Sequence, residues 1–136
     1  MNGKCGLCGD PWFDKRPRPH EIGGTYDKKI IGRKYTTGQV IDVRIDFTVN
    51  HYGTSELRLC AVDSTVTHEM QECFNKFPLY LEGQSVYQFK IPTQTLKNET
   101  INYRVHLPEN ISCQRCVIQW TYYGGIKLRS NSFLLH

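Results

Sequence analysis

Between Val40 and Val49 every odd position, Ile41, Val43, Ile45, Phe47 and Val49, is apolar, while Asp42, Arg44, Asp46 and Thr48 between them are polar. Strict period-two alternation puts the apolar groups on one side of an extended chain, so the segment predicts a strand with one face in a core and the other in water. Thr36-Thr37-Gly38 turns the chain into it, and Asn50 to Gly53 turns it out. The same alternation returns at Tyr87, Phe89 and Ile91, at Ile101, Tyr103, Val105 and Leu107, and at Ile118, Trp120 and Tyr122. Less regular strand candidates are Lys29–Tyr35, Glu56–Val62 and Leu128–Leu134, and Thr67–Phe74 alone could form a short helix.

Strands about 10–15 residues apart, joined by turns and with no long amphipathic helix, point to an all-β chain. The expected architecture is an antiparallel immunoglobulin/fibronectin-III-like β-sandwich. Residues 1–28 are rich in Gly, Pro and charge, so they predict an irregular arm held by Cys5 and Cys8. With 136 residues and no repeat or linker, one domain over 1–136 is expected. The net charge of +4 comes from Lys and Arg interspersed with Asp and Glu, which argues for solubility rather than a nucleic-acid partner. The one basic cluster, Lys15 to His20, is broken by prolines and reads as a solvated loop. No apolar run approaches the ~20 residues a membrane helix needs, so no membrane partner is expected, and the chain reads as a monomer.

Six cysteines in so short a chain point to disulfides and an oxidising compartment. Asn98-Glu99-Thr100 and Asn110-Ile111-Ser112 fit the N-glycosylation pattern, so Asn98 and Asn110 are candidate acceptors in a secreted protein. The segment from Met1 to Cys5 is not a signal peptide. Cys60 and Cys73 flank a polar segment, and a bridge between them would close a 13-residue loop, worth about 3 kcal/mol in the chain-entropy account. Cys5-Gly6-Leu7-Cys8 and Cys113-Gln114-Arg115-Cys116 are C-x-x-C pairs. Their partners stay unassigned; each pair could close on itself, bridge elsewhere, or serve a zinc-stabilised domain, although some hundred residues between them far exceed ordinary ribbon spacing.

Histidines stand at 20, 51, 68, 106 and 136, with no spacing that makes a local metal site. His68 and His106 read as surface residues. His51 follows directly on the best strand and keeps the parity of its buried face; by position alone it reads first as a structural histidine hydrogen-bonded to the fold.

Six ordered blocks carry a resemblance. Lys4-Cys5-Gly6-Leu7-Cys8-Gly9-Asp10, Arg18-Pro19-His20-Glu21-Ile22-Gly23-Gly24, Asn50-His51-Tyr52-Gly53, Gln71-Glu72-Cys73-Phe74 with Pro78-Leu79-Tyr80, Tyr103 to Pro108 and Cys113 to Tyr123 together resemble auxiliary activity family 15. These are copper-dependent lytic polysaccharide monooxygenases, similar in turn to type-4 chitin-binding proteins. The resemblance implies a histidine brace, in which copper is held by the amino group and imidazole of an N-terminal histidine and by one internal histidine, here His51. Three nitrogens in a T suit copper and leave positions open for oxygen. It further implies a chitin or cellulose surface as partner.

Two departures qualify what the resemblance implies. Residue 1 is Met, and after Tyr123 the chain continues through Gly124-Gly125 to His136 without the family's cysteine-rich tail and axial aromatic. The expectation is therefore a chain cut short relative to the family at both ends. It would be a polysaccharide-oriented domain with His51 as the remaining ligand of an incomplete brace, inactive in oxidative cleavage as it stands. The alternative from another class is a non-catalytic secreted binding or interaction module.

Overall fold

The structure, a computed structural model, describes residues 5–62, 71–91, 94–95, 98–125 and 130–135, the pairs and strand at 94–95 and 130–135 by backbone alone. Its elements are β1 (Val40–Phe47), β2 (Asn50–His51), β3 (Gly53–Val62), α1 (Gln71–Asn75), β4 (Phe77–Pro78), β5 (Gln88–Lys90), β6 (Gln94–Thr95), β7 (Glu99–His106), β8 (Arg115–Gly124) and β9 (Ser130–Leu135). Every pairing among them is antiparallel. β1 and β7 form one sheet in a register from Val40↔His106 to Phe47↔Glu99. A short second pairing joins β2 to β6, and the largest sheet is the run β4-β3-β8-β9 with β5 also on β3, whose long ladder runs from Gly53↔Gly124 to Val62↔Arg115.

The two layers close on one apolar core. Ile41, Val43, Ile45 and Phe47 of β1 meet Val105 of β7, Leu57 and Leu59 of β3, Phe89 of β5, and Leu79 and Ile91 from the connections. Alternation makes this possible, because the intervening Asp42, Arg44 and Asp46 stay exposed. From β8, Ile118, Trp120 and Tyr122 pack against the same core. The architecture is the expected antiparallel β-sandwich.

β8 departs from simple alternation. Val117, Gln119 and Thr121 lie on its opposite face, yet all three are buried. Two things cover that face. Near Val117, the Cys60–Cys73 bridge and Phe74 of α1 form a small second core. Near Gln119, the arm at residues 5–28 lies across the sheet, and the Gln119 amide donates to the carbonyl of Leu7 (3.2 Å).

The arm is a succession of turns organised around charge. Arg18 and Glu21 are both buried and paired at 2.6 Å, and Arg16 adds a second bond to Glu21 at 3.0 Å. Arg18 also donates to the carbonyls of Pro11 and Trp12 and lies over the Trp12 ring. Burial alone would raise the Glu21 carboxyl; hydrogen bonds from Arg16 and from the backbone and side chain of Arg18 hold it below its ordinary value. Asp10 takes His20 by its backbone N–H and ring. A further tie, Arg115 to Asp27, joins the arm to the start of β8.

Three sequence expectations need correction. In the Lys15–His20 cluster Lys15, Arg16, Pro17 and His20 are exposed as a solvated loop would be, but Arg18 is only 4% exposed and is committed to Glu21. Lys29–Tyr35 forms no strand: every residue from Lys28 to Thr37 is exposed, Lys29 takes a positive φ of 54°, and Ile30 and Ile31 are adjacent rather than alternating. β1 stops at Phe47, since a bend at Thr48–Val49 reverses the parity, leaving Val49 exposed and Asn50 fully buried. The helix expected over Thr67–Phe74 is described only from Gln71, where α1 begins, and His68 and His136 lie outside the described residues.

Candidate functional site

The chain around His51 is held almost entirely by polar contacts to backbone. Asn50, buried at its side, donates from Nδ2 to Glu99 of β7 and accepts the Tyr52 N–H at 3.3 Å, an Asx-type clamp that fixes the turn after β1. The His51 N–H donates to the Tyr122 hydroxyl (2.9 Å), which donates onward to the Tyr52 carbonyl (2.7 Å). The His51 carbonyl accepts from Gly125 at 3.0 Å. His51 thus sits between β8, through the phenol, and β6, where it pairs with Gln94.

Tyr122 can act as that strut because its ring is immobilised. It stacks on Trp120 with the planes 3° apart, and Phe47 meets it edge-on at 5.3 Å. The turn then leaves by Tyr52, at φ 54°, and Gly53, at φ 106°. A Cβ at Gly53 would lie 1.9 Å from the Tyr123 carbonyl oxygen, so only glycine lets β3 approach β8 there.

The imidazole itself is half-buried, and its Nδ1 has no hydrogen-bond partner among the described residues. A structural histidine normally satisfies such an atom, since a buried unpaired acceptor or donor costs about 1–3 kcal/mol. Nδ1 is shielded from solvent, so its lack of a partner does not itself mark a ligand; an imidazole on backbone this tightly fixed is nonetheless of the type that suits a borderline metal such as copper. The fit stops at that one ligand: among the described residues no three of His, Cys, Asp and Glu converge. They supply one imidazole, not a complete copper centre, and no catalytic step is derived through the metal.

The other candidates lie elsewhere. Cys60 and Cys73 are joined, with Cα atoms 5.2 Å apart, and Cys113 and Cys116 are joined at 5.8 Å. Both cystines are at the Val62–Arg115 end of the long ladder; Cys60 is seven residues along β3 from Gly53, roughly 23 Å at the usual rise of a strand. They brace the end opposite His51. Cys5 and Cys8 are not disulfide-bonded and stay in the arm, Cys8 buried. Asn98 is exposed just ahead of β7, and Asn110 is exposed in the turn after it. His106 is exposed at the end of β7.

Sequence reasoning did not find Tyr122, Asn50, Glu99 or Gly125 as parts of the site. The available signal was local: an Asn immediately before His51 is a residue that caps turns, and Tyr122 precedes a Gly-Gly pair on a strand that must end nearby. No helix among the described residues is long and apolar enough to cross a membrane.

Comparison with known proteins gives two matches. A family model described as lytic polysaccharide mono-oxygenase, cellulose-degrading, matches residues 1–134. Among solved structures, a lytic polysaccharide monooxygenase AA15 from Thermobia domestica in the Cu(I) state superposes with a TM-score of 0.87 at 31% identity, covering 97% of this chain and 74% of that one. No curated protein matches.

Proposed function

The chain belongs to the lytic polysaccharide mono-oxygenase family, and from that membership we propose that it is an extracellular domain that docks on a crystalline polysaccharide, chitin or cellulose, through the end of the sandwich carrying His51. The observation that carries the reading is the placement of His51, half-buried at the end of the sandwich on backbone fixed from three sides, by Asn50, Tyr122 and Gly125. A fold spends such rigidity where a group must be presented, not where it is merely packed. Tyr52, next in sequence and 48% exposed, adds an aromatic surface beside it. When bound, copper supplies oxidative chemistry on the polysaccharide; His51 would be its ligand from this loop, and Tyr122 would set where that ligand points.

Because the described residues bring one imidazole, they support docking more directly than oxidation. The second reading, a non-catalytic secreted binding module, follows from the same observation. Zinc stabilisation by the two C-x-x-C pairs is not supported, because one pair lies in the arm and the other is closed on itself.

The test has two arms. Sedimentation with insoluble chitin and with cellulose should deplete the protein from solution on at least one of them; recovery of all the protein in both supernatants sinks the docking reading. Separately, titration with Cu(II) followed by paramagnetic resonance should give a nitrogen-coordinated signal that His51→Ala removes, while metal-free stability changes by only about 0.5 kcal/mol. An unchanged copper spectrum with a large loss of metal-free stability would make His51 a structural residue.

A further inference from the structure

The turn that follows β7 borders an open groove of about 410 Å³ whose lining includes Lys76, Tyr80, His106, Leu107, Pro108 and, at its edge, Asn110. Asn110 is also the acceptor position of the Asn110-Ile111-Ser112 sequon. We propose that Asn110 carries an N-linked glycan whose first sugar is seated in this groove against the Tyr80 ring. The proposal rests on the extracellular part of the functional reading, because only a chain passing through an oxidising secretory compartment meets the glycosylating machinery.

The chain leading into the acceptor is held in place. Leu107 donates its N–H to the Gln39 carbonyl (2.9 Å), and Pro108 accepts the Gly38 N–H (3.2 Å). Gly38, at φ 72°, lies so close beneath the turn that a Cβ there would be 3.1 Å from Cγ of Glu109. The turn is therefore clamped to the entry of β1, and Asn110, exposed at its tip, is carried at the edge of the groove.

The groove has the chemistry of a sugar seat. A pyranose is amphipathic, with C–H faces that pack on apolar and aromatic surface and hydroxyl and acetamide groups that need polar partners. Tyr80 is 40% exposed as a residue, and its ring is propped at a steep angle by Tyr87 at 5.8 Å, which in turn lies under the Arg58 guanidinium. The Tyr80 carbonyl accepts the His106 N–H at 2.9 Å, tying that wall to β7. Leu107 and Pro108 add apolar floor, and Lys76 and His106 add polar rim. So open a groove is a poor cage for a free small molecule, which is normally buried over most of its surface. A sugar tethered at the edge avoids that requirement, since the link raises its effective concentration to the millimolar range.

The test is to secrete the full chain from a eukaryotic host behind an added leader. Peptide mass analysis should find Asn110 glycosylated. Enzymatic trimming to the single proximal sugar should leave Tm unchanged, and Ser112→Ala, which removes the sequon and keeps Asn110, should lower Tm by about 2–4 °C. In Tyr80→Ala the glycan should still be attached, but adding Ser112→Ala should lower Tm no further. An unmodified Asn110 in the secreted protein, a Ser112→Ala variant as stable as the glycosylated chain, or an undiminished glycan effect in Tyr80→Ala would each overturn the proposal. The extracellular reading is judged apart from this, by whether Cys60 and Cys73 are found joined in protein from its own cells.

Discussion

The arm over residues 5–28 buries Arg18, Glu21 and Asp10, whereas the sandwich beneath it buries Leu57, Leu79 and Val105. The two regions touch along one face of β8, yet they hold together by different physics. Apolar burial is non-directional and tolerant: a methylene lost in the core costs in proportion to its volume, and neighbours partly close the gap. A buried ion pair is unforgiving. Arg18 and Glu21 offset the cost of their own dehydration chiefly through each other, and removing Glu21 leaves the buried Arg18 charge with only the Pro11 and Trp12 carbonyls and the Trp12 ring. The arm is thus rigid but brittle, and the sandwich is plastic but collectively strong.

The largest expected effect comes from breaking the arm at its centre. Glu21→Ala should cost the arm about 3–5 kcal/mol, the penalty of stranding a buried Arg18. Hydrogen exchange should then show amides such as Gly24 and Tyr26, which bond within the arm, exchanging rapidly while those of β1 and β7 keep their protection. Loss of protection in β1 and β7 as well would mean that arm and sandwich form one cooperative unit.

Next comes the sandwich. Leu57 is fully buried, so Leu57→Ala should cost about 2–5 kcal/mol, seen as a shift of the urea midpoint for the whole molecule. A transition split by region, with the arm melting unchanged, would show that the arm needs no support from the core.

The smallest effect tests the seam. Burial alone would raise the Asp27 carboxyl, but hydrogen bonds from Arg115 and the Gly23 N–H, and the Arg115 charge, bring it down to about 2. A carboxyl lowered on folding contributes stability that is present above its unfolded value of 3.8 and is lost as pH falls toward 2. The loss should be on the order of 2 kcal/mol across that window and should vanish in Asp27→Asn. An acid limb of the same size in Asp27→Asn would place the titrating group elsewhere.

Much of the sandwich was legible because β1 and β7 each have one wet face and one dry face, so alternation reports them directly. β8 was legible only on the side of Ile118, Trp120 and Tyr122. Its other side reads as polar, and Gln119 and Thr121 are polar; they are buried because a separate piece of chain covers them, which no local pattern can announce. The arm was misread for the same reason. Arg18 and Glu21 look like surface residues until the turns of the arm fold Pro11 and Trp12 back onto Arg18 and lay the arm over Gln119. At the site, parity put His51 on the buried face, and the bend at Thr48–Val49 undid that argument. Its selection came from the six ordered blocks, while the geometry of its support, Tyr122 above all, rests on a contact across 71 positions that spacing does not encode.

The register of β1 also says something about the order in which this molecule can be made. Val40 pairs with His106 and Phe47 with Glu99, and β3 in turn waits for β8. The most strongly patterned strand is therefore made well before its partner, which is not available until some fifty to sixty-five further residues exist. Throughout that interval it presents an open edge with an apolar side, the condition in which chains associate wrongly. The Cys60–Cys73 loop, only 13 residues around, is the one covalent closure that can form early, before either long ladder exists. During synthesis its value is as a first fixed point, bringing Phe74 over Cys60 while β1 still waits for β7.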